Sequence, residues 1–509
     1  MDENLHPESF DRIPTEQPAP FFSTGKREFL FALLILVTGW LLCNSVFYAG
    51  FHLGFAIFVA CVIVLSTVYL LLCGRRLTLY TGTLLGMSLV LCASFARSDD
   101  GFVKFIMFCF LVVSSNLGLC LLAGQNRRKP SGITSLLDVP RTVFMLGLGK
   151  LGNSLRGLRE GVRSSGTLGK KSAAVVTGIV VAIPLLAVVI ALLIRADAAF
   201  DALLQKLPDW NITEIFVSIL FGSVLALFFY VRGTALQHAP KNDRPVKARK
   251  GIPPLTVNTV LIMIAAVYLV YLFSQLAYFA GGFSGILPEG YTTAEYARRG
   301  FFEMAWLCAI NLAILALAVG LVAKRDTAPL PTRLICLFIG IVTLFLVVSA
   351  SAKMFLYIDT YGLTRLRVLT QVIIFFLGIT NVLVCTWLFV PKLPYMKAVL
   401  LCALVIGAVV AWADVDTVVA RYNVSAYQSG KLESIDVDYL DSLGNGAVPY
   451  IAELTQDGNP EVAEAAANAL QVYFNVAPED FRDWNYVNHI ADPYLTNIHV
   501  DTPIAEITG

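Results

Sequence analysis

The sequence predicts an all-α fold: a polytopic transmembrane helical bundle of about 11 spans, N-in/C-out, with a small C-terminal helical extracytoplasmic domain. Three observations predict it. Eleven apolar runs of about 16 to 27 residues fill positions 28 to 413; Lys and Arg crowd nearly every second gap between them; and the chain turns polar and acidic after residue 413. Composition agrees, since 57% apolar and only 15% charged residues, with a mean hydropathy of +0.71, exclude a soluble enzyme of this length.

The runs read 28–48, 51–73, 77–95, 102–124, 172–194, 212–236, 255–281, 300–323, 331–352, 366–390 and 395–413. A spanning helix needs about 20 apolar residues to cross about 30 Å of hydrocarbon. Stretches such as Leu53 to Cys73 and Ala173 to Ile194 carry no charge. Without water their backbone groups must bond internally, so helix is the reading for each. The first run is too long for a signal-peptide core and is read as an uncleaved first helix.

Orientation follows from the gaps. With the N-terminus inside, the cytoplasmic side holds 26 of the 38 Lys and Arg but only 10 of the 36 Asp and Glu. The two densest gaps, Gln125–Ser172 with ten Lys and Arg and Gln237–Pro254 with five, fall on one side only if the number of spans between them is even. The expected organisation is a cytoplasmic tail at 1–27, helices 1–4 over 28–124, a basic cytoplasmic linker at 125–171, helices 5–11 over 172–413 and an exterior domain at 414–509.

Within the linker, Leu151, Leu155, Leu158 and Val162 recur at helical spacing while Lys150, Arg156, Arg159 and Arg163 take the other faces. Such a basic amphipathic helix suits the lipid headgroups, with anionic lipid as a candidate partner. Gly147, Gly149 and Gly152 spell G-x-G-x-x-G, but fewer than fifty residues between two spans cannot build the parallel sheet that this fingerprint requires. All ten cysteines lie within spans and none pairs as C-x-x-C, and the five histidines are scattered. No cofactor, metal or nucleic-acid partner is expected.

The tail carries 16 acidic residues against Arg421, Lys431 and Arg482. Ala447 to Leu454, a turn at Asp457–Asn459, and Pro460 to Phe474 predict a helix pair, with Asn459 as N-cap, Pro460 at the first helical position, and Val462, Ala466, Ala469, Leu470 and Tyr473 as its apolar face. One HEAT-like hairpin cannot bury a core alone, so it must pack on neighbouring helices, on the membrane domain or on a protein partner.

Charges near spans cost free energy and are the best functional pointers here. The segment Tyr296 to Glu303 and the segment Lys353 to Arg367, read as the connection between the ninth and tenth spans, place Arg298, Arg299, Glu303, Lys353, Asp359, Tyr361, Arg365 and Arg367 at the outer leaflet. Arginine forks there suit a carboxylate or phosphate, and the same residues also suit ion pairs that lock helices together. No residue is expected to be catalytic.

Two of these blocks, Tyr296-Ala-Arg-Arg-Gly-Phe-Phe-Glu and Leu356-Tyr-Ile-Asp-Thr-Tyr-Gly-Leu-Thr-Arg-Leu-Arg, resemble signature blocks of bacterial membrane proteins classed as domain of unknown function 4173, with its 4153 relatives. Tyr422-Asn423-Val, Asp438-Tyr439-Leu440 and Ala447-Val448-Pro449 extend the resemblance into the tail. It implies a bacterial cytoplasmic-membrane protein and supplies no activity. The function expected first is therefore transport or handling of an anionic solute or lipid head group. The alternatives are a sensor or assembly partner and, third, an outer-leaflet transferase.

Overall fold

The computed structural model describes residues 25–43, 50–126, 138–146, 212–238, 252–282, 301–322, 328–471 and 481–501, with isolated positions between 136 and 196. Every regular element among them is helical. The helices that correspond to apolar runs are α1 (Lys26–Leu42), α2 (Leu53–Leu72), α3 (Leu79–Ser94), α4 (Gly101–Ala123), α5 (Ile212–His238), α6 (Pro254–Gly282), α7 (Phe301–Val322), α8 (Leu330–Tyr361), α9 (Arg365–Phe389) and α10 (Tyr395–Ala413). Five shorter ones follow: α11 (Val415–Gln428), α12 (Val437–Asp441), α13 (Val448–Leu454), α14 (Pro460–Gln471) and α15 (Tyr486–Asp501).

Seven of the described helices are long and apolar enough to cross a membrane, and α3 and the Glu303–Ala318 part of α7 are shorter apolar helices. The expected run 172–194 lies largely outside the described residues, as do Lys150, Arg156, Arg159 and Arg163 of the linker. The run 331–352 requires a correction. Helix α8 does not end there but continues through Lys353 and Asp359 to Tyr361, 32 residues in all. Charges end an apolar run, but they do not end a helix, because its backbone bonds are indifferent to side-chain polarity. At 1.5 Å per residue α8 measures about 48 Å, well beyond about 30 Å of hydrocarbon.

The described chain divides into two compact units. One holds Met1–Leu41, Val64–Arg76 and Pro140–Lys241. In it α1 crosses α5 where Gly39 and Gly222 meet, so closely that a Cβ on either would strike the other's backbone carbonyl. Phe31 stacks on Tyr69 at 4.5 Å and fills the space left by Gly233. Glu28, buried at the start of α1, lies 3.4 Å from both the Tyr69 hydroxyl and His238 Nε2.

The second unit holds Leu42–Ile63, Leu77–Val139 and Asn242–Gly509. Helices α3 and α4 pack through Gly118 against Leu85 and through the Ser88–Ser114 hydroxyl pair at 2.8 Å, and α10 lies on both, with Phe110 over Gly407. Helices α6 to α9 share two apolar clusters, one around Leu261, Leu315, Ile339 and Leu388 and one around Phe301, Leu346, Ala350 and Ile374.

Between these clusters runs a short polar chain. Tyr268 donates to Asn311 Oδ1 at 2.6 Å, Asn311 donates to Thr343 Oγ1 at 3.0 Å, and Thr343 donates to the Ile339 carbonyl at 2.7 Å. Interhelical bonds of this kind average about 0.6 kcal/mol and rarely exceed about 1.7. Asn311→Leu is therefore expected to lower stability in detergent by about 1 kcal/mol; a loss above about 3 would show that the chain acts as one cooperative network.

Helices α11 to α15 enclose their own core of Val419, Val424, Leu440, Ile451, Leu454, Ala466, Leu470 and Leu495. This core does not stop at the domain edge, since Leu363, Val368 and Leu369 beside and on α9 and Val410 on α10 pack into it. The α13–α14 pair is the hairpin of the tail, with Asn459 Oδ1 accepting the Glu461 amide at 3.1 Å and with Ala466 and Leu470 buried. Tyr473 lies outside the described residues.

Candidate functional site

The site grows from the three residues that join α8 to α9. Gly362 has φ +72° and ψ −176°, a conformation essentially reserved for glycine, and it ends α8 abruptly. Asn423 on α11 then grips the next residue twice, its Oδ1 accepting the Leu363 amide at 2.7 Å and its Nδ2 donating to the Leu363 carbonyl at 2.8 Å. Thr364 caps α9 by accepting the Arg367 amide at 3.3 Å, and the Tyr439 hydroxyl on α12 accepts the Arg365 amide at 2.8 Å. The connection is thus held by side chains of the C-terminal domain.

Arg365 extends from this turn into a nest of carboxylates. Its Nε donates to Asp416 Oδ1 at 2.7 Å and lies 2.9 Å from Asp100 Oδ2. Asp100 caps α4, its other oxygen accepting the Phe102 and Val103 amides at 2.7 and 3.1 Å. Asp414 caps α11 with φ +52°, its Oδ2 accepting from Thr417. The Asp100 and Asp416 side chains are only 4% and 6% exposed. Burial pushes the Asp416 carboxyl up to about 6; Arg365 opposes that rise, while Asp100 and Asp414 add to it. Asp99, Asp100, Arg365, Asp414, Asp416 and the Ser442–Gly446 turn border a cavity of about 230 Å³.

A larger groove of about 680 Å³ borders the same connection, lined by residues of Asp359–Arg367 and the Lys431–Asp436 loop. Arg367 sits in its wall. Its Nη1 donates to the Tyr361 carbonyl at 3.0 Å and to that of Gly362, and the guanidinium lies 4.1 Å above the Tyr357 ring. Asp359, 63% exposed, pairs with Lys431 at 2.6 Å. Tyr361 lines the groove with an exposed ring.

The structure therefore brings Asp359, Tyr361 and Arg367 together and sends Arg365 to a separate cavity. Glu303 is exposed in the first turn of α7 and acts electrostatically on half-buried Lys353 of α8. Neither residue lines either space, and Arg298 and Arg299 lie outside the described residues. Sequence reasoning missed Asp100, Asp414, Asp416, Asn423 and Tyr439 as site residues. Three of these are carboxylates at helix ends, which weighing acids at span ends as heavily as arginines would have found.

A further cluster ties the last helix to the first part of this unit. Lys104 Nζ contacts Asp99 at 3.1 Å and His52 Nδ1 at 3.3 Å, and Asn485 Nδ2 reaches the same His52 nitrogen at 3.2 Å. Both neighbours present donors, so His52 Nδ1 accepts and the ring is neutral; burial and then Lys104 hold its pKa below the ordinary value. The Leu53 amide donates to the Trp484 carbonyl at 3.3 Å, the Tyr486 amide to Ala96 O at 2.9 Å, and Arg97 lies 3.8 Å over the Tyr486 ring. Among the described residues no three His, Cys, Asp or Glu side chains converge as a metal site.

Helices of membrane-crossing length and composition, capped by a helical domain keyed into their ends, define a polytopic membrane protein. Residues 84–454 match the family described as domain of unknown function DUF4153, and the chain belongs to that family. The match does not confirm the related name 4173. It covers Asp100, Arg365, Asp416, Asn423 and Tyr439 and ends with α13. Among curated proteins and among solved structures nothing matches the chain.

Proposed function

We propose that this protein handles an anionic solute or lipid head group, binding its phosphate or carboxylate in the groove beside Arg367 at the extracytoplasmic face of a bacterial cytoplasmic membrane. The supporting observation is the groove itself. Its volume suits a small ligand, it lies at the ends of two membrane helices, and Arg367 lines it with Nη1 bound to carbonyls while Nε and Nη2 stand outside those bonds. A planar fork with donors to spare is the side chain best suited to an oxyanion. Lys431 adds a second cation, held by Asp359 until a ligand competes for it. The orientation rests on the basic gaps, which put the α8–α9 connection on the side poor in Lys and Arg.

The other readings are served less well. Asp99 and Asp100, the acids nearest to what a lipid-linked transferase would use, are engaged by Lys104 and by Arg365 with the α4 amides. The tail's apolar residues pack on Leu363, Val368, Leu369 and Val410, which fits a cap better than a free docking module for a protein partner.

The full-length protein in nanodiscs of phosphatidylcholine with and without phosphatidylglycerol, followed by mass spectrometry of retained lipid and solute, tests the proposal. Arg367→Gln is expected to weaken retention of the anionic species about tenfold to a hundredfold, the value of a charge-assisted bond, while Arg367→Lys keeps part of it. Equal retention by wild type and Arg367→Gln, with both eluting as folded protein, would overturn it.

A further inference from the structure

The junction of Asp100, Arg365 and Asp416 has an imbalance that hydrogen-bond counting exposes. Arg365 Nε carries a single hydrogen, and two carboxylate oxygens lie within 2.9 Å of it. That hydrogen goes to Asp416, so Asp100 Oδ2, although beside the cation, accepts no hydrogen bond from the described residues. Both carboxylates are nearly fully buried, and among the described residues only one guanidinium faces them. The remaining charged and titratable groups around the junction do not correct this. Asp414 on the α11 cap adds a third carboxylate and accepts from Thr417; Asp99 is taken by Lys104; the Tyr439 hydroxyl accepts from the Arg365 backbone; and Arg367 acts on Tyr439 from the groove side.

We infer that the Asp100–Arg365–Asp416 junction is a proton-binding clamp: a proton on Asp416 completes it and fixes the C-terminal domain to the helix ends, and loss of that proton loosens it. The proton supplies what the geometry lacks. It removes one of two negative charges facing a single cation, and it adds a second donor hydrogen where two acceptors share one. The cavity of about 230 Å³ beside the three residues gives water a route to the carboxyl.

The elements joined are the ones a clamp would need to join. Asp100 begins α4 and Arg365 begins α9, both in the helix bundle, whereas Asp416 lies in the first turn of α11. The sign follows from linkage. The Asp416 carboxyl in the engaged junction titrates near 6, above its ordinary 3.8, so the engaged state binds the proton more tightly than a state in which Asp416 faces water. The clamp is therefore tight below the ordinary value and weakens as pH rises through about 6.

Infrared titration and hydrogen exchange of the full-length protein in detergent test this. The wild type is expected to lose one carboxylic-acid C=O band as pH rises through about 6, and Asp416→Asn to lack it. Asp100→Asn removes the facing like charge and is expected to move the midpoint down by about 1 in pH. After correction for intrinsic exchange, protection of the α11 amides should fall more than about tenfold between pH 5 and pH 8 in the wild type, and should stay high in Asp416→Asn. A titrating band that survives Asp416→Asn, a midpoint unmoved by Asp100→Asn, or α11 protection that ignores pH would each overturn the inference.

Discussion

Gly362→Ala is expected to lower the stability of this protein by roughly 2 to 6 kcal/mol, a large loss for one added methyl group. Two costs combine. The backbone conformation at Gly362 is one that L side chains avoid, at about 1 to 3 kcal/mol. The added Cβ would also stand 2.7 Å from Asn423 Oδ1, the atom that accepts the Leu363 amide. Asn423 must then withdraw, and the Leu363 N–H and C=O lose partners that they cannot replace inside the turn, at about 1 to 3 kcal/mol more. Thermal denaturation in detergent reads the loss. Asn423→Gly removes the clash but not the backbone cost, so the double variant should be less impaired than the sum of the single ones. Strict additivity would mean that Asn423 and Gly362 do not meet.

Arg365→Met is expected to cost a similar amount, about 3 to 5 kcal/mol, for an electrostatic reason. It leaves Asp100 and Asp416 buried without their cation, which is far worse than removing all three charges. Its pH dependence separates this cause from lost packing. Without Arg365 the native Asp416 carboxyl loses the group that opposes its rise and moves further above its unfolded value, so its contribution to stability is fully present below about pH 4 and is lost as pH rises. The deficit should therefore be greatest at pH 8 and shrink toward pH 5, and Asp100→Asn with Asp416→Asn in the same chain should recover most of it. A deficit equal at both pH values, unrelieved by neutralising the acids, would rule out the electrostatic account.

That the chain is an all-helical, polytopic membrane protein was readable because a bilayer imposes one pattern on every span, and that pattern survives in one dimension. Arg365 stands out in the sequence as a cation at the end of an apolar run. Its partners do not. Asp416 is 51 residues away, one of many acids in an acidic tail, and Asp100 lies in a short loop between apolar runs, where only the fold shows that it caps α4 and meets Arg365. Asn423 and Tyr439 lay in blocks that carried the family resemblance, but both act on backbone groups of the α8–α9 connection. A side chain bonded to a distant main chain leaves no complementary residue to notice. The extension of α8 past Lys353 was hidden differently: hydropathy reports where apolar surface ends, and the helix outlasts it by more than two turns.

The attachment of the last helices to the start of α2 and α4 has a consequence for how the molecule is made. Leu53, Ala96, Ser98 and Asp100 receive partners from Trp484, Tyr486, Asn485 and, through Arg365, Asp416. A ribosome adding about 5 to 20 residues per second needs roughly 20 to 80 s to pass from the first group to the last. For that interval the early helices stand in the bilayer with their polar ends open to water, and the bundle acquires these contacts only after residues 484–486 have been made. Assembly of this fold thus closes from α11 and α15 back onto the starts of α2 and α4.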